Sequence, residues 1–186
     1  MKPKMLVLMG GQGVGKGTFS QMLKELHDYV HIEMGGILRS LPKDSEISRI
    51  MAKGELVPDE KILEIIKSNI PDKSDKDVIL DGFPRTMQQA RWLVENYAKI
   101  FDIHVIYLDV PEEVMVARIQ KRIREGGGRQ DDANEQTIKN RLTNFWETTV
   151  PVIKWLSTVK EIKFSDIDVT SEVNENFKRI RNALGI

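Results

Sequence analysis

Apolar residues in this chain fall in short runs separated by longer amphipathic stretches. The runs at residues 5–9, 29–33, 78–81, 103–109 and 162–164 have the length of buried strands and are bounded by turn-forming residues. Between them, apolar positions recur at helical spacing, predicting helices over 15–26, 45–53, 59–69, 87–99, 112–124, 134–156 and 172–184. Strands alternating with helices predict an α/β fold: a parallel five-stranded sheet covered on both faces, three layers in all. Within 134–156, Ile138, Leu142, Phe145, Trp146 and Val152 mark one core-facing side, and Pro151 predicts a kink. Trp92 and Trp155 also sit on amphipathic stretches, so core packing is the expectation for all three tryptophans. Residues 71–75 read as a surface turn. Gly126-Gly127-Gly128, between two charged helices and next to arginines, reads as a moving flap, with an ordinary surface loop as the plainer alternative.

Composition narrows the class. The 186 residues suit one domain with small insertions, and 28 basic against 28 acidic side chains leave no net charge to favour nucleic acid or an anionic membrane. With no cysteine, disulfides and thiolate zinc sites are excluded. No apolar stretch reaches the length of a membrane span, and the first residues lack a signal-peptide layout, so a cytoplasmic protein is expected. His27, His31 and His104 lack metal-ligand spacing and read as surface or strand-edge residues.

The chemistry begins where the first apolar run ends. Gly10-Gly11-Gln12-Gly13-Val14-Gly15-Lys16-Gly17-Thr18 joins a buried strand to a helix, which is the setting of a P-loop. Glycines let backbone N–H groups curl around a phosphate, the helix N-terminus adds partial positive charge, and Lys16 reaches the outer phosphates. The residue after the lysine is Gly17 rather than the usual Ser or Thr, with Thr18 next.

A second motif, Val78-Ile79-Leu80-Asp81-Gly82-Phe83-Pro84-Arg85, places a carboxylate at the C-terminal edge of a strand, where open α/β sheets bind ligands. Asp81 is the candidate for holding Mg²⁺ through water, and Arg85, placed rigidly after Pro84, can grip a phosphate with two prongs. Arg118 and Arg122 share one helical face, Arg129 lies beside the glycines, and Arg141 lies on the next helix. Such an i,i+4 arginine pair is ordinarily a solvated face. Beside a P-loop it gains another meaning, because phosphoryl transfer is catalysed mainly by positioned positive charge.

Five ordered segments carry a family resemblance: residues 10–18, Gly35-Gly36-Ile37-Leu38-Arg39, Gly54-Glu55-Leu56-Val57-Pro58-Asp59, Asp81-Gly82-Phe83-Pro84-Arg85-Thr86-Met87-Gln88-Gln89-Ala90, and Gly128-Arg129-Gln130-Asp131-Asp132. The chain resembles the adenylate kinases of the nucleoside-monophosphate kinase family, from Met5 to about Val173, and Lys-Gly-Thr is the normal P-loop ending there. The resemblance implies transfer of a phosphoryl group from ATP to AMP with Mg²⁺, and a monomer with no nucleic-acid or membrane partner. The donor would lie against Gly11, Gln12, Gly13, Val14, Gly15, Lys16, Gly17 and Thr18, with Thr18 near the metal, while Arg118 stacks on its adenine. Arg39 and Arg85 would hold the acceptor phosphate, Gln89 would read the acceptor base, and Met34, Gly35, Leu56, Val57 and Gly82 would line its pocket. Arg122, Arg129 and Arg141 would neutralise the transferring group, with Asp131 and Asp132 tying the lid down.

An acceptor-binding segment at 33–62 and a short lid at 123–132, too short for the zinc-bearing form, would move on a single P-loop kinase domain spanning 1–186. The chain departs from the family where Ser/Thr-Gly-Asp is usual: Met34, Gly35 and Gly36 stand there, so a hydroxyl and an acid are lost. Two other readings stay open at this point, a kinase for UMP, CMP or another monophosphate, and a protein that binds ATP without turnover. Gln89 weighs against a pyrimidine acceptor, since pyrimidine-specific relatives tend to carry asparagine in this segment.

Overall fold

The first strand, β1 (Lys4–Met9), is buried from Met5 onward on both faces, as a central strand of a parallel sheet must be. The computed structural model describes residues 2–70, 76–129, 132 and 134–186; the turn expected at 71–75 and the motif residues Gln130 and Asp131 lie outside them. Among the described residues, β2 (Val30–Glu33), β3 (Val78–Asp81), β4 (Asp102–Asp109) and β5 (Lys163–Asp168) complete a parallel sheet in the order β2-β3-β1-β4-β5. The chain leaves β1 for β2 on one side and later crosses to β4 on the other. The carboxyl ends of β1, β3 and β4 therefore border a crevice where a ligand can enter between diverging connections. No helix among the described residues is long and apolar enough to cross a membrane.

Among the described residues, nine α-helices flank or bridge these strands: α1 (Lys16–Leu26), α2 (Met34–Arg39), α3 (Glu46–Ala52), α4 (Asp59–Asn69), α5 (Met87–Tyr97), α6 (Glu112–Arg124), α7 (Glu135–Asn144), α8 (Val150–Leu156) and α9 (Val173–Leu184). α1 packs on β1, β2 and β3, and α9 on β5. The hydroxyls of Ser45 and Thr86 and the side-chain oxygen of Asn134 cap α3, α5 and α7 by accepting from the backbone N–H three residues on.

Three differences from the sequence reading have physical causes. α2 is absent from the expected helices, because two glycines in a six-residue helix oppose helix formation; the burial of Met34, Gly35 and Leu38 compensates. β5 runs to Asp168, beyond its expected end at 164, because an edge strand tolerates the polar Ser165 and Asp166. The single helix expected over 134–156 is interrupted by a π-helical turn, Phe145–Thr149, just before Pro151. The wider turn changes which residues share a face. Trp146 consequently lies at the surface, its indole N–H donating to Glu112, rather than in the core with Phe145. Trp92 and Trp155 are partly buried against the core, as expected.

Candidate active site

Gly10 and Gly13 adopt φ of +146° and +80° as the chain leaves β1. A Cβ on either would meet a backbone oxygen at 2.8 Å (Leu108) or 2.9 Å (Met115), so the loop takes this path only with glycine there. Gln12 ties the loop to α7 by donating to the Ile138 carbonyl at 3.0 Å. Lys16 opens α1 and folds its ammonium back into the loop, donating to the carbonyls of Gly10 and Gly11, each at 2.9 Å. Burial pushes its pKa down to about 8; Asp81 opposes the shift, while Arg85, Arg141 and Arg129 add to it. The first turn of α1 carries no acidic residue, so its N-terminal N–H groups have no anionic side chain of their own.

A cavity of about 430 Å³ opens in front of this loop. Gly11, Gln12, Gly13, Gly15, Lys16, Gly17 and Thr18 line one end, and Met34, Gly35, Arg39, Leu56, Val57, Gly82, Arg85 and Gln89 the other. Asp81 and the arginines Arg118, Arg122, Arg129 and Arg141 line it as well. The Val14 side chain is in the core, and its carbonyl accepts from Arg118 Nη1 at 3.4 Å.

Asp81 ends β3 beside Leu8 of β1 and Glu33 of β2. Burial raises its carboxyl pKa, countered chiefly by Lys16 and reinforced by Glu33. His31 Nε2 lies 4.0 Å from the Asp81 carboxylate, and burial lowers the pKa of the imidazole. His31 thus lies on the edge strand β2, as expected, with its imidazole near Asp81. His104, by contrast, sits near the start of the inner strand β4, between β1 and β5, paired with the Ser165 hydroxyl at 2.8 Å. No group of three or more His, Cys, Asp or Glu among the described residues could cage a metal. The Asp81 carboxylate and the Thr18 hydroxyl on the cleft suit Mg²⁺, which keeps most of its waters and takes other ligands from phosphates.

On the far side, Arg39 pairs with Glu33 at 2.8 Å, and Arg85 donates from Nε to the Gly82 carbonyl at 2.9 Å. Gln89 is buried with both ends of its amide engaged. Its Oε1 accepts from the Arg85 backbone N–H at 2.8 Å, and its Nε2 donates to Asp59 at 2.7 Å. The same Asp59 oxygen accepts from the Thr86 hydroxyl at 2.8 Å.

Asp132, with a fully buried side chain, gathers the arginines on the lid side. Its Oδ2 accepts from Arg122 Nε at 3.1 Å, from Arg122 Nη2, and from the Arg129 backbone N–H at 3.1 Å. Its Oδ1 accepts from Arg141 Nη1 at 3.0 Å. Arg118 does not join this cluster: its Nη2 donates to the Val169 carbonyl at 2.7 Å. The glycines after α6 have a capping role: Gly126, with φ +77°, and Gly127 donate to the carbonyls of Ile123 and Arg122, a Schellman closure of the helix.

Sequence reasoning missed Glu33, Asp59 and the π-helical wall. Asn144 donates to the Gly54 carbonyl at 2.9 Å, Thr149 donates to the Arg85 carbonyl at 3.1 Å, and both line the cleft with Phe145. A π-helical turn leaves no mark in hydrophobic periodicity beyond a phase shift, and the Pro151 that follows it was the one available signal.

Comparison with known proteins agrees with this architecture. The adenylate kinase family model matches residues 8–161. An adenylate kinase of Prochlorococcus marinus (strain MIT 9515) is 39% identical over 173 residues, covering 89% of this chain and 91% of the relative. One from Thermus thermophilus is 36% identical over 190 residues and 97% of both chains. One from Phocaeicola vulgatus is 40% identical over 158 residues, 81% of this chain and 82% of its own. A P-loop, a strand-end carboxylate and converging arginines, together with these matches along most of its length, make this chain a member of the adenylate kinase family.

Proposed function

We propose that the protein transfers the γ-phosphoryl of ATP to AMP, giving two ADP, by direct in-line displacement within the cleft. The observation that carries the reading is the convergence of Lys16, Arg39, Arg85, Arg122, Arg129 and Arg141, from separate segments, on one cavity. Two nucleotides end to end bring several phosphates together, and only an arrangement of this kind offsets that charge. Lys16 and the P-loop N–H groups take the donor phosphates, and Arg118 lies against the donor base. Arg39 and Arg85 grip the acceptor phosphate, and Arg122, Arg129 and Arg141 neutralise the group in flight. Asp81, through water, and Thr18 would hold Mg²⁺, which would supply further neutralisation of phosphate charge. All of these side chains come from one chain, so the reading needs no second copy. The acceptor-binding segment at 33–62 and the lid at 123–132 close over bound nucleotides and exclude water, the competing acceptor.

A coupled assay of ADP production with AMP, CMP, UMP, GMP and dTMP tests the reading. Rapid turnover with AMP is expected. A strong preference for CMP or UMP, or no turnover with any acceptor, overturns it.

The anchoring of Gln89 bears on the acceptor base. Asp59 accepts and the Arg85 N–H donates, so the amide cannot flip without putting like groups face to face. The remaining N–H and lone pair of Gln89 therefore keep one order, which suits a 6-aminopurine; a 6-oxopurine presents the reverse order. Asp59→Asn frees one anchor, because an amide can donate as well as accept. The ratio of kcat/KM for AMP over GMP should fall by about tenfold, the worth of one mismatched buried hydrogen bond. An unchanged ratio removes Asp59 from specificity.

A further inference from the structure

The acid missing at position 36 is present in space, supplied from another point in the chain. A Cβ built on Gly36 would lie 3.1 Å from Glu33 Oε2 and 3.2 Å from its Cδ. The volume a side chain at 36 would enter is thus filled by the Glu33 carboxyl group. Glycine inside a short helix is less favourable than alanine, and here its lack of a side chain leaves room for Glu33. Glu33 uses the room in a definite way: Oε1 accepts from Arg39 Nη2 at 2.8 Å. Glu33 is also the last residue of β2, level with Asp81 of β3, and lines the same cavity. The strand end gives the carboxylate a fixed base, which a six-residue helix with two glycines does not.

We propose that Glu33 is a positioning residue for phosphoryl transfer: from the end of β2, through the gap left by Gly36, it holds the Arg39 guanidinium toward the acceptor phosphate. The inference rests on the reading of Arg39 as an acceptor-phosphate ligand. Glu33 does not touch the reacting atoms. A carboxylate on one edge of a guanidinium fixes its plane and so the direction in which it meets a phosphate. The location of the carboxylate matters, whichever residue carries it, so Glu33 and Gly36 form an exchangeable pair.

Steady-state kinetics of Arg39→Ala, Glu33→Gln, Glu33→Ala and the double variant Glu33→Ala/Gly36→Asp test this, with melting curves of each. Glu33→Gln keeps the shape of the side chain and serves where alanine impairs folding. Both Glu33 single variants should raise KM for AMP by about tenfold, with KM for ATP within about twofold of the parent. The double variant should regain most of that loss, because the carboxylate introduced at position 36 enters the space vacated by Glu33. A merely structural role for Glu33 would move both KM values together and would not be rescued from position 36. The inference is overturned if Glu33→Gln leaves KM for AMP unchanged or lowers it, or if the double variant is no better than Glu33→Ala. If Arg39→Ala leaves KM for AMP unchanged, the reading of Arg39 itself fails, whereas an effect of Arg39→Ala without one of Glu33→Gln sinks only the role of Glu33.

Discussion

Lys16→Ala is expected to lower turnover at least about 100-fold, the scale of losing one preorganised electrostatic contact to a developing charge. In the structure the ammonium is buried, hydrogen-bonded to two P-loop carbonyls and opposed by three arginines, with Asp81 as its principal counter-charge. Donor phosphates would replace those carbonyls as partners. The depressed pKa adds a second readout. Free Lys16 titrates near pH 8, and polyphosphate stabilises its charged form, so ATP affinity should be flat below that pH and fall above it. Unfolding does not explain such a fall. The unfolded lysine keeps its proton up to about pH 10.5, so from about 8 upward the unfolded state binds more protons and the contribution of Lys16 to stability rises with pH. ATP titrations from neutral to alkaline pH on the parent and on Lys16→Met would show the slope in the first and its loss in the second. Turnover of Lys16→Ala within a few-fold of the parent would refute the phosphate role.

The P-loop was readable in the chain because its chemistry is local. Glycines at 10 and 13 encode a backbone path that other residues cannot follow, and the helix that follows is a matter of sequence order. The strands were readable for a similar reason, since a strand buried on both faces must be a continuous apolar run, as 5–9 and 78–81 are. Contacts between distant segments were not readable. Asp59 and Gln89 are 30 residues apart and meet only after α4 and α5 pack. Glu33 looked like an ordinary strand-end residue, and its partner gap at Gly36 looked like a lost acid. α2 opposes its own local propensity and exists because the core accepts Met34 and Leu38. The arginines were legible as types, and the lid motif already offered Asp131 and Asp132 as the acids beside them, but that one carboxylate would be buried among three of the arginines was not.

That carboxylate is Asp132, and Asp132→Ala should have the largest effect of any change outside the P-loop. Its side chain is fully buried, whereas those of Arg122 and Arg141 are 25% and 17% exposed. Removing it leaves two guanidiniums close together with their shared anion gone, and leaves the Arg129 N–H without its acceptor. Breaking a buried ion pair from one side costs about 3–5 kcal/mol; the partial exposure of both arginines lets water offset some of this, so a loss of about 2–3 kcal/mol is expected. For a chain of this size that lowers the melting temperature by roughly 4–12 °C. The effect on chemistry should exceed what stability predicts. Arg122 and Arg141 come from α6 and α7, on opposite sides of the lid, and Asp132 bonds both. With it gone the two drift apart by repulsion, and a displacement of about 1 Å costs on the order of 100-fold in rate. Turnover measured well below the new melting temperature should therefore fall about 100-fold, with amide exchange accelerated around residues 123–129. Asp132→Glu, which keeps the charge one methylene further out, should recover stability more fully than turnover. Turnover within about threefold of the parent in Asp132→Ala would mean that the arginines find their places without it, and that the buried carboxylate serves the fold alone.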